Sequence, residues 1–204
     1  MKKSATKKTS TKKHRPPSAG GRRKTIVYIA VSAEYFIARP DGGIDWLNRP
    51  HPKGDYGMPA FFKSIDTILW GRKTFSQAME MGLKLSVYGP EVKHYVFTRQ
   101  SHESLAATLQ PGVEFVSEPI KPFMQRLRAQ PGKDIWVMGG GELNAALLDA
   151  GEIDEFSIHV IPVLIGEGIP LVAPRHRNVK LTLLSTKKFP DGVVHLNYRV
   201  DGRN

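Results

Sequence analysis

Apolar residues along the chain fall into short, β-branched runs with no strict alternation, separated by stretches spaced like helices. Thr25–Ser32 (TIVYIAVS), Asp66–Trp70 (DTILW), Lys93–Thr98 (KHYVFT), Val113–Ser117, Asp134–Met138 (DIWVM) and Ile153–Ile161 are such runs. Their length and composition predict strands covered on both faces. Between them, Pro119–Gln130 places Ile120, Phe123, Met124 and Leu127 on one helical face, with Lys121 and Arg126 on the other. Helices are also predicted over Met58–Ser64, over Phe75–Met81, and from Gly139–Gly141 to about Asp149, with Gly151 as terminator. Arg39–Gly43 reads as a turn and Asn48–Gly57 as a long loop. Val179–Lys187 and Val193–Val200 read as antiparallel strands joined at Asp191-Gly192. Strands alternating with helices and ending in a hairpin define an α/β fold. Its central sheet is mostly parallel, with helices on both faces.

A chain of 204 residues accommodates one such domain and a tail. The net charge of +11 changes meaning once it is located. Residues 1–24 hold ten Lys and Arg and no acid, which leaves twenty basic against nineteen acidic residues in 25–204. Residues 1–24 are therefore expected to be a disordered basic tail, since they offer almost nothing to bury. Two roles stay open for it: nonspecific contact with a nucleic-acid backbone, or a solubilising extension. Cys is absent, so disulfides, cysteine zinc sites and thiol nucleophiles are excluded. No apolar run has transmembrane length, and no apolar core follows the basic start. The expected location is the cytoplasm, with no membrane partner.

Gly139, Gly140 and Gly141 stand where a predicted strand becomes a helix. Glycine there permits a tight turn and close backbone approach, and the free N–H groups of a helix start can hold a phosphate. The alternative is that the glycines serve only helix–sheet packing. Gly71-Arg72-Lys73-Thr74 repeats the arrangement at a second strand end, and Arg99 follows a third. Ligands of open α/β sheets bind beyond the carboxyl ends of the strands. Two glycine switches and three cations at that edge suit a dinucleotide, and cations near its ribose favour NADP over NAD. The seven histidines show no ligand spacing, so no metal is expected. His51 and Asp55 are weak proton-relay candidates, whereas His159 and His195 lie in strand patterns and read as structural.

Taken together, these residues resemble the dihydrofolate reductase-like superfamily. The similarity is to the branch related to the C-terminal reductase domain of the bifunctional riboflavin biosynthesis deaminase/reductase. It covers about residues 25–200 and rests on SAEYFIARPDGGIDWL (32–47), GRKTF (71–75), VMGGGEL (137–143), Asp154-Glu155 and PVLIGEGIPL (162–171). The resemblance implies the three-layer fold of that superfamily and a reductase that transfers a hydride from NADPH. The acceptor would be a C=N or C=O of a small pterin-, pyrimidine- or flavin-precursor-like heterocycle. It implies cofactor contacts from Gly71, Arg72, Lys73, Thr74, Thr98, Arg99, Gly139, Gly140, Gly141 and Glu142. Ala30, Ile37 and Ala38 would face the nicotinamide. Ser32, Glu34, Tyr35, Asp45 and Trp46 would border substrate, and Asp45 or Glu34 would supply the proton. A homodimer is also implied. One departure stands out. The branch reads Ser-x-Asp-Gly before its Ile-Ala, and this chain has Ser32, Ala33, Glu34 and Tyr35. Tyr at that place meets a backbone position suited to φ > 0. Two other classes remain open: a cofactor-binding protein without turnover, and a nucleic-acid-associated protein acting through residues 1–24.

Overall fold

The computed structural model describes residues 22–49, 55–99 and 111–202; the tail as far as residue 21, and His51, lie outside them. The described chain forms strands β1 (Thr25–Val31), β2 (Phe36–Ala38), β3 (Ile65–Gly71), β4 (Lys93–Phe97) and β5 (Val113–Val116). Strands β6 (Asp134–Gly139), β7 (Glu155–Val160), β8 (Ile169–Pro170), β9 (Leu181–Lys188) and β10 (Val194–Val200) follow. Its helices are α1 (Met58–Ser64), α2 (Arg72–Glu80), α3 (Ile120–Ala129) and α4 (Gly141–Asp149). The ribbon β2–β8 and the 3-10 turns Asp45–Leu47 and Leu85–Tyr88 are too short to leave a periodic signal. Pro122 is the third residue of α3, where its missing N–H has no intrahelical partner to lose. No described helix is long and apolar enough to cross a membrane.

Eight strands form one sheet in the order β5-β4-β3-β6-β1-β7-β10-β9. The first six are parallel, and β10 and β9 are antiparallel. Each parallel strand sends alternate side chains to two separate cores. Val27, Val31, Leu69, Ile135 and Val137 meet Phe123, Met124 and Leu127 of α3 and Leu143, Leu147 and Leu148 of α4. Ile68, Trp70, Val96 and Trp136 meet Phe75 of α2, with Phe61 and Phe62 of α1 packed against them. That double coverage is why the strands read as unbroken apolar runs. It also fixes a switch point. Crossovers are right-handed, so the chain's leftward step from β3 to β4 puts α2 on one face. Its rightward step from β6 to β7 puts α4 on the other. Adjacent strands β3 and β6 thus release their helices to opposite sides, leaving a crevice at their carboxyl ends.

At the opposite edge, the body begins before Thr25. Arg23, assigned to the tail by composition, is buried. Its guanidinium donates to Lys133 O at 2.6 Å, Leu127 O at 3.1 Å and Thr67 Oγ1 at 2.7 Å, and it pairs with Asp66. Lys24 follows suit, with its backbone N–H on Asp134 and its Nζ on Glu155. Arg23 and Lys24 are thus fastened to residues of the sheet and of α3. Asp154 closes this edge. Its carboxylate accepts Thr25 N–H at 2.8 Å and the Arg128 guanidinium at 3.0 Å, and its carbonyl accepts Val200 N–H at 2.9 Å.

Removing one partner of a buried ion pair strands the other and the carbonyls it served. Arg23→Met, which keeps the alkyl volume, should lower unfolding free energy by about 2–3 kcal/mol. Urea denaturation checks this, and a loss below about 0.5 kcal/mol, the usual scale of a surface substitution, would reduce Arg23 to a surface residue.

Candidate functional site

The crevice between β3 and β6 is built from backbone rather than side chains. A Cβ placed on Gly71 would lie 3.3 Å from Gly139 O and 3.4 Å from Gly140 N. The three glycines of the β6–α4 turn divide the work. Gly139 takes φ +103°, a conformation open to glycine, and its peptide bond to Gly140 is cis. A Cβ on Gly141 would strike Pro170 O at 2.4 Å, so that glycine serves packing. Gly140 has φ −77°, a conformation open to any residue. Its Cα faces α2, and an added Cβ would sit 3.0 Å from Thr74 Oγ1 and 3.8 Å from Ile37 Cδ1. Gly71, Thr74, Ile37 and Gly140 are therefore brought together at the starts of two helices.

The cations at this edge differ from those elsewhere. Arg72 opens α2 and Arg99 follows β4, and neither makes an ion pair with a described residue. Every other arginine among the described residues is paired with a carboxylate. Lys73 beside Arg72 is exposed, and Thr98 is buried at the end of β4 with its N–H on Val116 O. The Glu142 side chain points outward instead, to Arg175 at 3.1 Å.

On the β1–β7 side the sequence assignments fare differently. Ala30 packs with Trp46, Leu47, Tyr56, Val163 and Ile165 around a small core that includes Phe189 and Val193. Trp46 is buried, and its indole N–H has no hydrogen-bond partner among the described residues. Ser32 is fully buried, and its Oγ accepts the N–H groups of Glu34 and Phe36, so it shapes a turn. Tyr35 occupies the left-handed region at φ +65°, the backbone expected where the branch has glycine. Ala38 is buried, with its carbonyl against Gly168. Asp45 is exposed and held by Arg39 through bonds of 2.7 and 3.0 Å. That guanidinium lowers its pKa, so Asp45 stays ionised and is poorly suited to give a proton. Glu34 accepts the N–H groups of Ile165 and Gly166, a structural engagement rather than that of a free acid. Asp55 caps its own turn through Gly57 N–H. Both carboxyls expected to supply the proton are engaged in hydrogen bonds within the chain.

Residues not singled out as site candidates line the same face. Tyr28 and His159 both donate to the carbonyl of Tyr56, at 3.2 Å each. The Tyr56 hydroxyl donates to Asp191 at 2.5 Å, and His195 stacks on His159 at 4.3 Å. A buried tyrosine in a strand needs a partner for its hydroxyl, a cue that Tyr28 carried in the sequence. Burial, together with the nearby His195 and Lys187, pulls the His159 pKa down to about 4. His94, which accepts the Trp70 indole N–H at 3.1 Å, is likewise lowered to about 4 by burial. Among the described residues no three His, Asp or Glu are grouped to hold a metal ion.

Known proteins resemble this chain in sequence and in fold. Residues 23–195 match the family model of the RibD C-terminal domain. The uncharacterized protein YwjB of Bacillus subtilis is 38% identical over 172 residues, 84% of this chain and 95% of its own. A putative riboflavin biosynthesis protein from Shewanella sp. PV-4 superposes with a TM-score of 0.74 at 22% identity, covering 88% of this chain and 99% of that one. Dihydrofolate reductase from Enterococcus faecalis, complexed with NADP(H), gives a TM-score of 0.59 at 15% identity over 88% and 97%.

The two buried imidazoles make stability depend on pH with a definite sign. Their folded pKa values lie below the ordinary 6.5, so the unfolded chain binds protons that the folded one refuses. Their stabilising effect is full above pH 6.5 and is lost as pH falls toward 4. Each contributes a slope of up to about 1.4 kcal/mol per pH unit in that window. Chemical denaturation at pH 7, 6 and 5 should show the decline, and His94→Gln with His159→Gln should flatten it. An unchanged slope in the double variant would show that these rings are not the source.

Proposed function

The chain belongs to the family of the RibD C-terminal domain, within the dihydrofolate reductase-like superfamily, and from that premise we propose that it is an NADPH-dependent reductase of a small heterocycle. The observation that carries the reading is the pair of arginines without a carboxylate partner among the described residues, Arg72 and Arg99, at the same sheet edge as the Gly140 cradle. Unneutralised guanidinium groups beside a backbone gap suit phosphate. The sheet order β4-β3-β6-β1 gives the ligand its direction. Strands are spaced about 4.8 Å apart, so β4 to β1 spans about 14 Å, the scale of a dinucleotide. Arg72, Lys73 and Arg99 would hold the ribose 2′-phosphate. Gly140 and the starts of α2 and α4 would hold the pyrophosphate, and Ile37 and Ala30 would face the nicotinamide. The E. faecalis dihydrofolate reductase, a structural relative with NADP(H) bound, supports this choice of cofactor.

When bound, the nicotinamide supplies the hydride. The chain's part is to place the acceptor on the Ala30 and Trp46 side and to exclude bulk water there. Asp45 is held as a carboxylate and Glu34 is engaged by two N–H groups, so the proton comes from water. A pterin, pyrimidine or flavin precursor supplies the C=N or C=O to be reduced.

A second copy of the chain completes the assembly. All of β9 lies at or near the surface at the sheet edge, with Leu181 41%, Leu183 50% and Leu184 44% exposed. An edge strand with apolar residues open to water calls for cover. The homodimer is formed there, and Leu183→Glu should shift sedimentation velocity to the monomer. A monomeric wild-type protein at micromolar concentration would dismiss the dimer.

Three measurements test the cofactor site. NADPH should bind at least tenfold tighter than NADH, about 1.4 kcal/mol. Arg72→Ala and Arg99→Ala should each erase most of that preference. Gly140→Ala should leave a folded protein but weaken NADPH by roughly tenfold or more, because the new Cβ meets Thr74 in the gap. Calorimetric titration below the melting temperature checks all three. Equal affinity for the two cofactors would refute the phosphate assignment, and Gly140→Ala with unchanged affinity and lowered stability would return that glycine to packing.

A further inference from the structure

The turn between β1 and β2 carries an acid whose carboxylate reaches a segment more than a hundred residues away. Glu34 Oε2 accepts Ile165 N–H at 2.8 Å, and Gly166 N–H lies 3.2 and 3.4 Å from its two oxygens. Ala33 N–H donates to Val163 O at 2.9 Å alongside. Otherwise the segment Val163–Gly168 is thinly covered. Leu164 is 73% exposed, Glu167 is exposed, and Gly166 turns through φ +80° with open space around it. Ile165 is the inward-facing residue and joins the core around Trp46 beside Ala30. Ile37, just past the same turn, lies against the Gly140 gap.

The ends of the segment are fixed by the Ala33–Val163 hydrogen bond and by the close fit of Gly168 against Ala38 and Phe36. Between them, Glu34 is the one side chain among the described residues that binds the exposed turn at Ile165 and Gly166. Bonds from N–H groups to a carboxylate are stronger than neutral ones, so this group governs whether the turn stays down beside Ala30 and Trp46. We propose that Glu34 is a positioning residue. Its carboxylate latches Val163–Gly168 over the nicotinamide and acceptor end, and so sets how fast ligands leave that end without touching them. The inference rests on the cofactor reading above for the identity of the ligand.

The test compares wild type, Glu34→Gln and Glu34→Ala in three measurements: thermal unfolding, amide hydrogen exchange of the 163–168 peptide, and stopped-flow dissociation. NADPH and 2′,5′-ADP are the probes, the latter lacking any nicotinamide half. In Glu34→Ala, exchange in 163–168 should rise at least tenfold and NADPH should leave at least fivefold faster. Dissociation of 2′,5′-ADP should change less than twofold. Glu34→Gln, which keeps one acceptor oxygen, should fall between wild type and Ala; it carries the test if the Ala variant does not fold. Faster exchange with unchanged NADPH release would reduce Glu34 to a structural clasp and overturn the proposal. Equal acceleration of both ligands would do the same, since it signals general loosening. Wild-type protein that binds neither probe would instead overturn the cofactor reading, and the latch's assigned role with it.

Discussion

Backbone lies directly against backbone where β3 and β6 end, and that contact requires the absence of side chains. Gly71 faces the carbonyl of Gly139 at a distance where a Cβ would already press, so both strand ends must be bare. Because the strands are neighbours, α2 and α4 begin within reach of one another while departing to opposite faces. Each helix start presents unpaired N–H groups, and the gap between them is lined by Gly140, Thr74 and Ile37. The sheet order, the placement of the helices and the chemistry of the crevice follow from this approach. A side chain at Gly71 would press the two strand ends apart and disturb the packing there.

The charges reinforce that geometry by contrast. Arginine elsewhere in the body is spent on fastening elements together: Arg23 and Arg128 beneath the sheet, Arg39 on Asp45, Arg175 and Arg177 on Asp149. At the carboxyl edge Arg72 and Arg99 are left over. A body with nearly equal numbers of acids and bases could have neutralised them, as it does its other guanidinium groups. Without a carboxylate partner among the described residues, they leave that edge more positive than the rest of the body.

The parallel strands and the glycine switches were legible because burial on both faces leaves unbroken β-branched runs, and glycine marks the turns. The placement of Arg72, Arg99 and Gly140 at one edge of the sheet was legible for the same reason, since topology alone carries strand ends to one edge. Other assignments depended on contacts that no spacing reveals. The hold of Arg39 on Asp45, six positions away, leaves no periodic mark. Nor does any spacing join Glu34 to the amides of Ile165 and Gly166. Arg23 looked like part of a basic run, because composition cannot tell a solvated guanidinium from one that is satisfied by carbonyls. Tyr28, Tyr56 and His159 meet only through the tertiary fold, at a backbone carbonyl.

Asp154 has a topological consequence. Because β10 runs antiparallel to β7, the described chain ends at the edge where it begins, and Asp154 touches both Thr25 and Val200. The crevice lies at the far end of strands such as β1, seven residues long, or about 20 Å away at strand rise. A short linker could therefore join residue 202 to residue 22, and new ends could be cut in a surface turn such as Asp191-Gly192. The same arrangement suits attachment to a support, since a tether at either end would leave the crevice facing solution.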